Sequence, residues 1–182
     1  MNLTPILKTE RLTLRMFQES DLPFLLSHFS DVAVCEYLMD NERIKTMDEA
    51  KEILTWSYGD KKCPTNNRWM IIEDQTNLPI GTIGFHRWDK QNKIAEIGYD
   101  LSPTKWSKGY MSEAIKETLV FLFDRLDVDK VQAIVHVDNA PSKRLLEKTG
   151  FRIEGNIRNI YFLKGEYHDH YLMTIQKSDY KE

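Results

Sequence analysis

The run Ile94-Ala95-Glu96-Ile97-Gly98-Tyr99-Asp100-Leu101 alternates as a strand, and Trp106-Ser107-Lys108-Gly109 then turns the chain into a helix. In that helix Met111, Ala114, Ile115, Leu119, Leu122 and Phe123 recur at helical spacing, with Glu113, Lys116 and Glu117 on the other side. Beyond it Val131, Ala133, Val135 and Val137 share one face of a second strand, and Gln132, Ile134 and His136 share the other. A strand–helix–strand run of this length is a right-handed crossover, so the two strands are expected to be parallel. The helix start also has a chemistry of its own. Its first N–H groups lack intrahelical partners, and the dipole is positive there, which suits phosphate. Gly109 has no Cβ and lets the backbone approach a ligand, while Lys108 adds positive charge. The same glycine would equally serve a plain turn, since neither a Walker lysine-serine pair nor G-x-G-x-x-G is present.

The remaining elements follow in order. Leu12-Thr13-Leu14-Arg15 alternates as a first strand, and Ser20 or Asp21 caps a helix through about Phe29 with Leu22, Leu25 and Leu26 inward. Thr46 begins a second helix that carries Ala50, Ile53, Leu54 and Trp56 inward. Asp60 to Asn67, with Pro64, reads as a loop. Arg68 to Glu73 and Ile80 to Arg87 read as two strands joined near Asp74-Gln75-Thr76-Asn77. Pro141 suits the first turn of a helix that Gly150 and Phe151 close, and strands at about Ile153 to Leu163 and Tyr167 to Gln176 finish the chain. No linker or repeat interrupts the pattern. The expectation is one domain over residues 1–182, a mixed sheet of α/β (α+β) type flanked by helices.

A chain of 182 residues is long enough for a sizeable core, and a net charge of −3 gives no support to nucleic acid or an anionic membrane as a partner. Cys35 and Cys63 lack metal-ligand spacing and read as ordinary thiols of a cytoplasmic protein. The N-terminal Met1-Asn2-Leu3-Thr4-Pro5 has no secretory pattern, and no segment has the length of a membrane span.

Four motifs stand in order: Thr9-Glu10-Arg11-Leu12-Thr13-Leu14-Arg15, Glu96-Ile97-Gly98-Tyr99, Trp106-x-Lys108-Gly109-Tyr110-x-x-Glu113-Ala114, and Asn139-x-x-Ser142 followed by Leu145-Leu146-Glu147-Lys148-x-Gly150-Phe151. This set resembles the GNAT superfamily of N-acetyltransferases, and within it the RimJ/RimL-like branch, over nearly the whole chain. The resemblance implies a mostly antiparallel twisted sheet in which the two central parallel strands splay to admit the pantetheine arm of acetyl-CoA. It implies a pyrophosphate cradle of backbone N–H groups from Ser107, Lys108, Gly109, Tyr110, Met111 and Ser112, main-chain contacts from Leu101, and Asn139 on the pantetheine amide. Relative to the common pattern, Trp106 stands for Gln or Arg, and Met111 for Gly or Ala.

The reaction implied is direct attack of a primary amine on the thioester. An amine that starts protonated gains from a base, and the resemblance places Glu96 beside the acetyl group. Glu96 also reads as a solvated strand carboxylate, and His86 and His168 are alternative bases. Many relatives protonate the thiolate with a tyrosine on the last helix, where this chain has Leu146. In the RimJ/RimL-like branch the serine near the sulfur is Ser142, which also reads as a first-turn serine satisfying backbone. Trp69, His86, Tyr99, Tyr161, Tyr167, His168 and Asp169 are candidates for the amine pocket, although aromatic residues on strands are more often core. His168-Asp169-His170 is not a metal-ligand set, and no metal is expected. Partners are acetyl-CoA and an amine acceptor, which includes a ribosomal or other protein N-terminus. A homo-oligomer is compatible with the sequence. Two readings of other classes stand beside the enzyme: a non-catalytic acetyl-CoA-binding module and a ribosome-associated structural protein.

Overall fold

The computed structural model describes residues 5–38, 43–58 and 65–180. Met1 to Thr4, Cys63, Pro64 and most of the predicted 60–67 loop lie outside the described residues. The described chain builds one eight-stranded sheet. Its strands are β1 (Leu7–Lys8), β2 (Leu12–Arg15), β3 (Asn67–Glu73), β4 (Leu78–Asp89), β5 (Ile94–Leu101), β6 (Lys130–His136), β7 (Arg152–Leu163) and β8 (Glu166–Gln176), in spatial order β1-β2-β3-β4-β5-β6-β8-β7. All neighbours are antiparallel except β5 and β6.

That parallel pair is short. It holds register only at Ile94↔Lys130, Ala95↔Val131 and Glu96↔Gln132, although β5 continues to Leu101 and β6 to His136. The strands therefore part just beyond Glu96, leaving a wedge in mid-sheet. The crossover between them is α3 (Tyr110–Val120), extended by a π-turn over Phe121–Arg125. Met111, Ala114, Ile115 and Leu119 pack on Ala95, Ile97, Val131 and Ala133 in the larger of two cores.

Three further helices, α1 (Leu22–Ser30), α2 (Met47–Ser57) and α4 (Ala140–Lys148), complete the frame. In α2, Thr46 Oγ accepts the Glu49 N–H while the Glu49 carboxylate accepts the Thr46 N–H, a reciprocal cap. Leu25 of α1 and Ala50 and Leu54 of α2 cover Met70 and Ile72 in the second core. Trp56, expected inward, is half exposed. It lies two residues past Leu54, and residues that close in a helix do not share a face. Helix α4 ends as its sequence requires. Gly150 takes φ +100°, the Gly150 N–H reaches Glu147 O at 3.1 Å, and the Phe151 N–H reaches Leu146 O at 3.0 Å. Phe151 folds back into the core.

Candidate active site

The turn before α3 is held from outside. Ser107 and Gly109 both adopt positive φ, +60° and +83°. A Cβ on Gly109 would lie 3.4 Å from Arg11 Nη2 and in a strained backbone conformation. Arg11 Nη1 donates to Lys108 O at 3.1 Å, and the guanidinium covers the Tyr110 ring at 4.5 Å. Glu113 fixes the arginine in turn, accepting from Arg11 Nε and from the Arg11 backbone N–H, both at 2.8 Å, and from Thr9 Oγ1. The Tyr110 hydroxyl donates to Glu73 Oε1 at 2.6 Å, beside the Lys105–Glu73 ion pair. The hydrogen bonds from Lys105, Tyr110 and Thr76 hold the Glu73 pKa at about 2. None of the backbone N–H groups from Ser107 through Ser112 donates to another group among the described residues. Met111, the bulky departure from the family pattern, turns its side chain into the core and leaves the loop clear.

At the point where β5 and β6 part, Glu96 is buried and saturated. Its Oε1 accepts His86 Nε2–H at 2.8 Å and its Oε2 accepts Gln132 Nε2–H at 2.9 Å, while Arg87 Nη1 donates to both oxygens at 3.2 Å. Burial alone would raise the Glu96 pKa, but the hydrogen bonds from His86 and Gln132 and the charge of Arg87 bring it below the usual range. Arg87 reaches this face through a bulge in β4. The register shifts between His86 and Asp89, and Arg87 takes φ +51° there, so it does not alternate away from His86. Gly98, two residues on, shares the Glu96 face, and the space beside it is already bordered. A Cβ there would meet Arg68 Nη1 at 3.2 Å and His86 Cε1 at 3.3 Å.

Farther along the same face, Asp100 is buried at the centre of a second network. It accepts from His28 Nε2 at 2.7 Å, Thr82 Oγ1 at 2.6 Å, the Thr82 N–H at 3.1 Å, and Arg68. Burial opposes ionisation, but the Arg68 charge and the His28 and Thr82 hydrogen bonds hold the Asp100 pKa at about 2.

The other face of β5 looks toward α4. Asn139 caps this helix, its Oδ1 accepting the Ser142 N–H at 3.2 Å, and the Tyr99 hydroxyl lies 2.8 Å from Ser142 Oγ. Leu146, where other relatives place a tyrosine, is fully buried in the core. The Leu101 carbonyl already accepts the Trp106 indole N–H at 2.7 Å.

Several predicted pocket residues lie elsewhere. Trp69 is fully buried on the core face, edge-on to Phe121, and its indole donates to Pro5 O, so it offers an amine no surface. Tyr99 belongs with Ser142 rather than with Glu96, because residues 96 and 99 alternate to opposite faces. Tyr167 is exposed by the Lys164-Gly165 turn, stacked edgewise on Phe162. Asp169 accepts the Asn159 N–H. His168 has both ring nitrogens engaged, at 3.0 Å from His136 Nε2 and at 3.0 Å from Leu163 O. Tyr161 packs on His170 and faces Arg87, and of the predicted pocket residues only His86 touches Glu96. The sequence reading missed Arg11, Arg68, Arg87 and Asp100. Alternation signals two of them, since Arg68 and Asp100 fall on the Glu96 face; Arg87 is hidden by the bulge. No group of three or more His, Cys, Asp or Glu side chains among the described residues is arranged to hold a metal ion.

Residues 11–152 match the family model described as an acetyltransferase (GNAT) domain. The chain belongs to the GNAT family. A Bacillus licheniformis relative described as an uncharacterized N-acetyltransferase, p20, is 34% identical over 174 residues, covering 96% of this chain and 97% of that one. The crystal structure of Vibrio cholerae spermidine N-acetyltransferase in complex with CoA and spermine superposes with a TM-score of 0.82 at 26% identity, covering 93% of this chain and 98% of that one. The RimL ribosomal L7/L12 α-N-protein acetyltransferase in complex with coenzyme A shares the fold, with a TM-score of 0.86 at 22% identity over 94% and 98% of the two chains. Acetyl-CoA, the donor of this GNAT family, fits the residues present. Unpaired N–H groups from Ser107 to Ser112 suit its pyrophosphate, and the gap beyond Glu96 and Gln132 gives an extended chain sheet-edge groups to pair with.

Proposed function

We propose that this protein transfers the acetyl group of acetyl-CoA to a primary amine, with His86 accepting the amine proton and Glu96 orienting His86. The observation that carries this reading is the Glu96–His86 contact at the end of the β5–β6 pairing. An ionised carboxylate only accepts, so His86 donates from Nε2, and as a neutral imidazole it keeps its lone pair on Nδ1. That Nδ1 lies on the Gly98 side of the ring, 3.8 Å from where a Cβ would stand, and has no partner among the described residues. The half-buried His86 thus offers a base at the splay point, while Glu96 itself has no lone pair left to offer. The arrangement is that of a histidine held in one tautomer by a buried carboxylate.

In the transfer, the amine lone pair attacks the thioester carbonyl carbon, a proton passes from nitrogen to His86 Nδ1, and the C–S electron pair leaves with sulfur. Ser142 is the side-chain donor toward that sulfur, and Asn139 and Leu101 flank the pantetheine path. An acceptor amine is supported by the spermidine N-acetyltransferase relatives, and a protein N-terminus by the RimJ/RimL-like motifs. A cytoplasmic location belongs to the same reading. A non-catalytic module would have no use for the Glu96–His86 pair, which costs burial of a carboxylate.

The test is release of free CoA from acetyl-CoA in the presence of polyamines, amino acids, aminoglycoside-type amines and peptides with free N-termini. At least one class is expected to raise release well above the rate without amine. Acetyl-CoA binding with no amine-dependent release across the panel would overturn the enzymatic reading in favour of the binding module.

A further inference from the structure

Ser142 is not alone at the mouth of the wedge. Tyr99 stands on β5 beyond the last paired position, on the face opposite Glu96, and its hydroxyl lies 2.8 Å from Ser142 Oγ. The serine is held a second time through its N–H by Asn139 Oδ1. Resting on the acetyl-transfer reading above, we propose that Tyr99 is a positioning residue: its O–H donates to Ser142 Oγ and thereby aims the serine proton at the departing sulfur.

The direction of the bond follows from the two hydroxyls. A phenol is the stronger acid and the better donor, so the Tyr99 proton lies between the two oxygens. Ser142 Oγ has no other side-chain or backbone partner among the described residues, which frees its own O–H for a third atom. Leu146, buried in the core, supplies no donor in its place. Tyr99 is not the proton source. Burial pushes its phenol up, with the Ser142 hydrogen bond a smaller opposing effect, and an ordinary thiol is already the stronger acid at about 8.5 against about 10. Passing the phenol proton to a thiolate would therefore run uphill. Both hydroxyls keep their protons. The new C–N bond takes the amine lone pair, the broken C–S bond leaves its pair on sulfur, the amine proton goes to His86, and solvent protonates the thiolate that Ser142 has stabilised.

A double-mutant cycle tests this. Tyr99→Phe keeps the ring and removes only the hydroxyl. It is expected to lower kcat roughly threefold to tenfold, the worth of one neutral hydrogen bond, with unchanged KM for acetyl-CoA and an unchanged acetyl-CoA-induced rise in Tm. Ser142→Ala is expected to lower kcat roughly tenfold or more. Adding Tyr99→Phe to Ser142→Ala should then cost nothing further, because the phenol acts only through the serine. Additive losses, an unchanged kcat for Tyr99→Phe, or tighter acetyl-CoA binding by that variant (the sign of a latch that must open) would each overturn the assignment. Absence of amine-dependent CoA release by the unmodified protein would instead remove the acetyl-transfer reading on which it rests.

Discussion

A carboxylate that accepts from His86, Gln132 and twice from Arg87 serves as an anchor, since every lone-pair direction of Glu96 is filled and its pKa is lowered. The expected consequence is specific. Glu96→Gln presents an amide that can donate to His86 Nε2, which puts the imidazole proton on Nδ1, the atom needed as the base. Turnover should fall by roughly 10² to 10⁴ while acetyl-CoA still raises Tm, because the shape of the site is kept. Loss of less than about tenfold, measured as amine-dependent CoA release, would mean that the tautomer is not set by Glu96. At this scale the sequence was partly legible. The motifs point to Glu96 and Ser142, but what each touches depends on strand register. His86 meets Glu96 because β4 and β5 pair at those two residues. Trp69 lies in the core and Tyr99 beside Ser142, since alternation assigns faces only once the buried face is known.

The elements were more legible than the contacts between them. Periodicity in β5, α3 and β6 and the Pro141 and Gly150 signals of α4 are local, and the structure has them where those patterns lie. The splay of β5 from β6 is not written in either strand, since both keep alternating past Glu96 and Gln132. The grip on the α3 turn is equally non-local: Arg11 and Glu113 meet across a sequence separation of 102 residues. Two predictions belong here. Gly109→Val should abolish the acetyl-CoA-induced rise in Tm while the free protein stays folded, because φ +83° is strained for a β-branched residue and the unpaired N–H groups would turn away. An undiminished rise would rule out this turn as the cradle. Arg11→Met should weaken acetyl-CoA binding without changing kcat at saturation, since the guanidinium steadies Lys108 O and neutralises Glu113 near the anion site. Unchanged affinity would show that the turn keeps its shape unaided.

Across the whole molecule, the Asp100 network ties α1 to the middle of the sheet through His28, and to β3 and β4 through Arg68 and Thr82. An aspartate held at about 2 in the fold, against about 3.9 in the unfolded chain, contributes stability that is complete above about pH 4 and is lost as pH falls toward 2. Chemical unfolding of Asp100→Asn should accordingly show lower stability at neutral pH and a shallower decline between about pH 4 and 2. An identical acid decline in both proteins would remove Asp100 from that role. The same network reaches the proposed acetyl site, since Arg68 pairs with Asp100 and lies beside Gly98, which His86 also borders. The most direct test of that base is the single-turnover rate of acetyl transfer by His86→Asn saturated with acetyl-CoA, using an amine that the unmodified protein accepts. A fall of roughly 10² to 10⁴ with the acetyl-CoA-induced rise in Tm retained is expected. A rate within about threefold of the unmodified protein would contradict His86 as the proton acceptor.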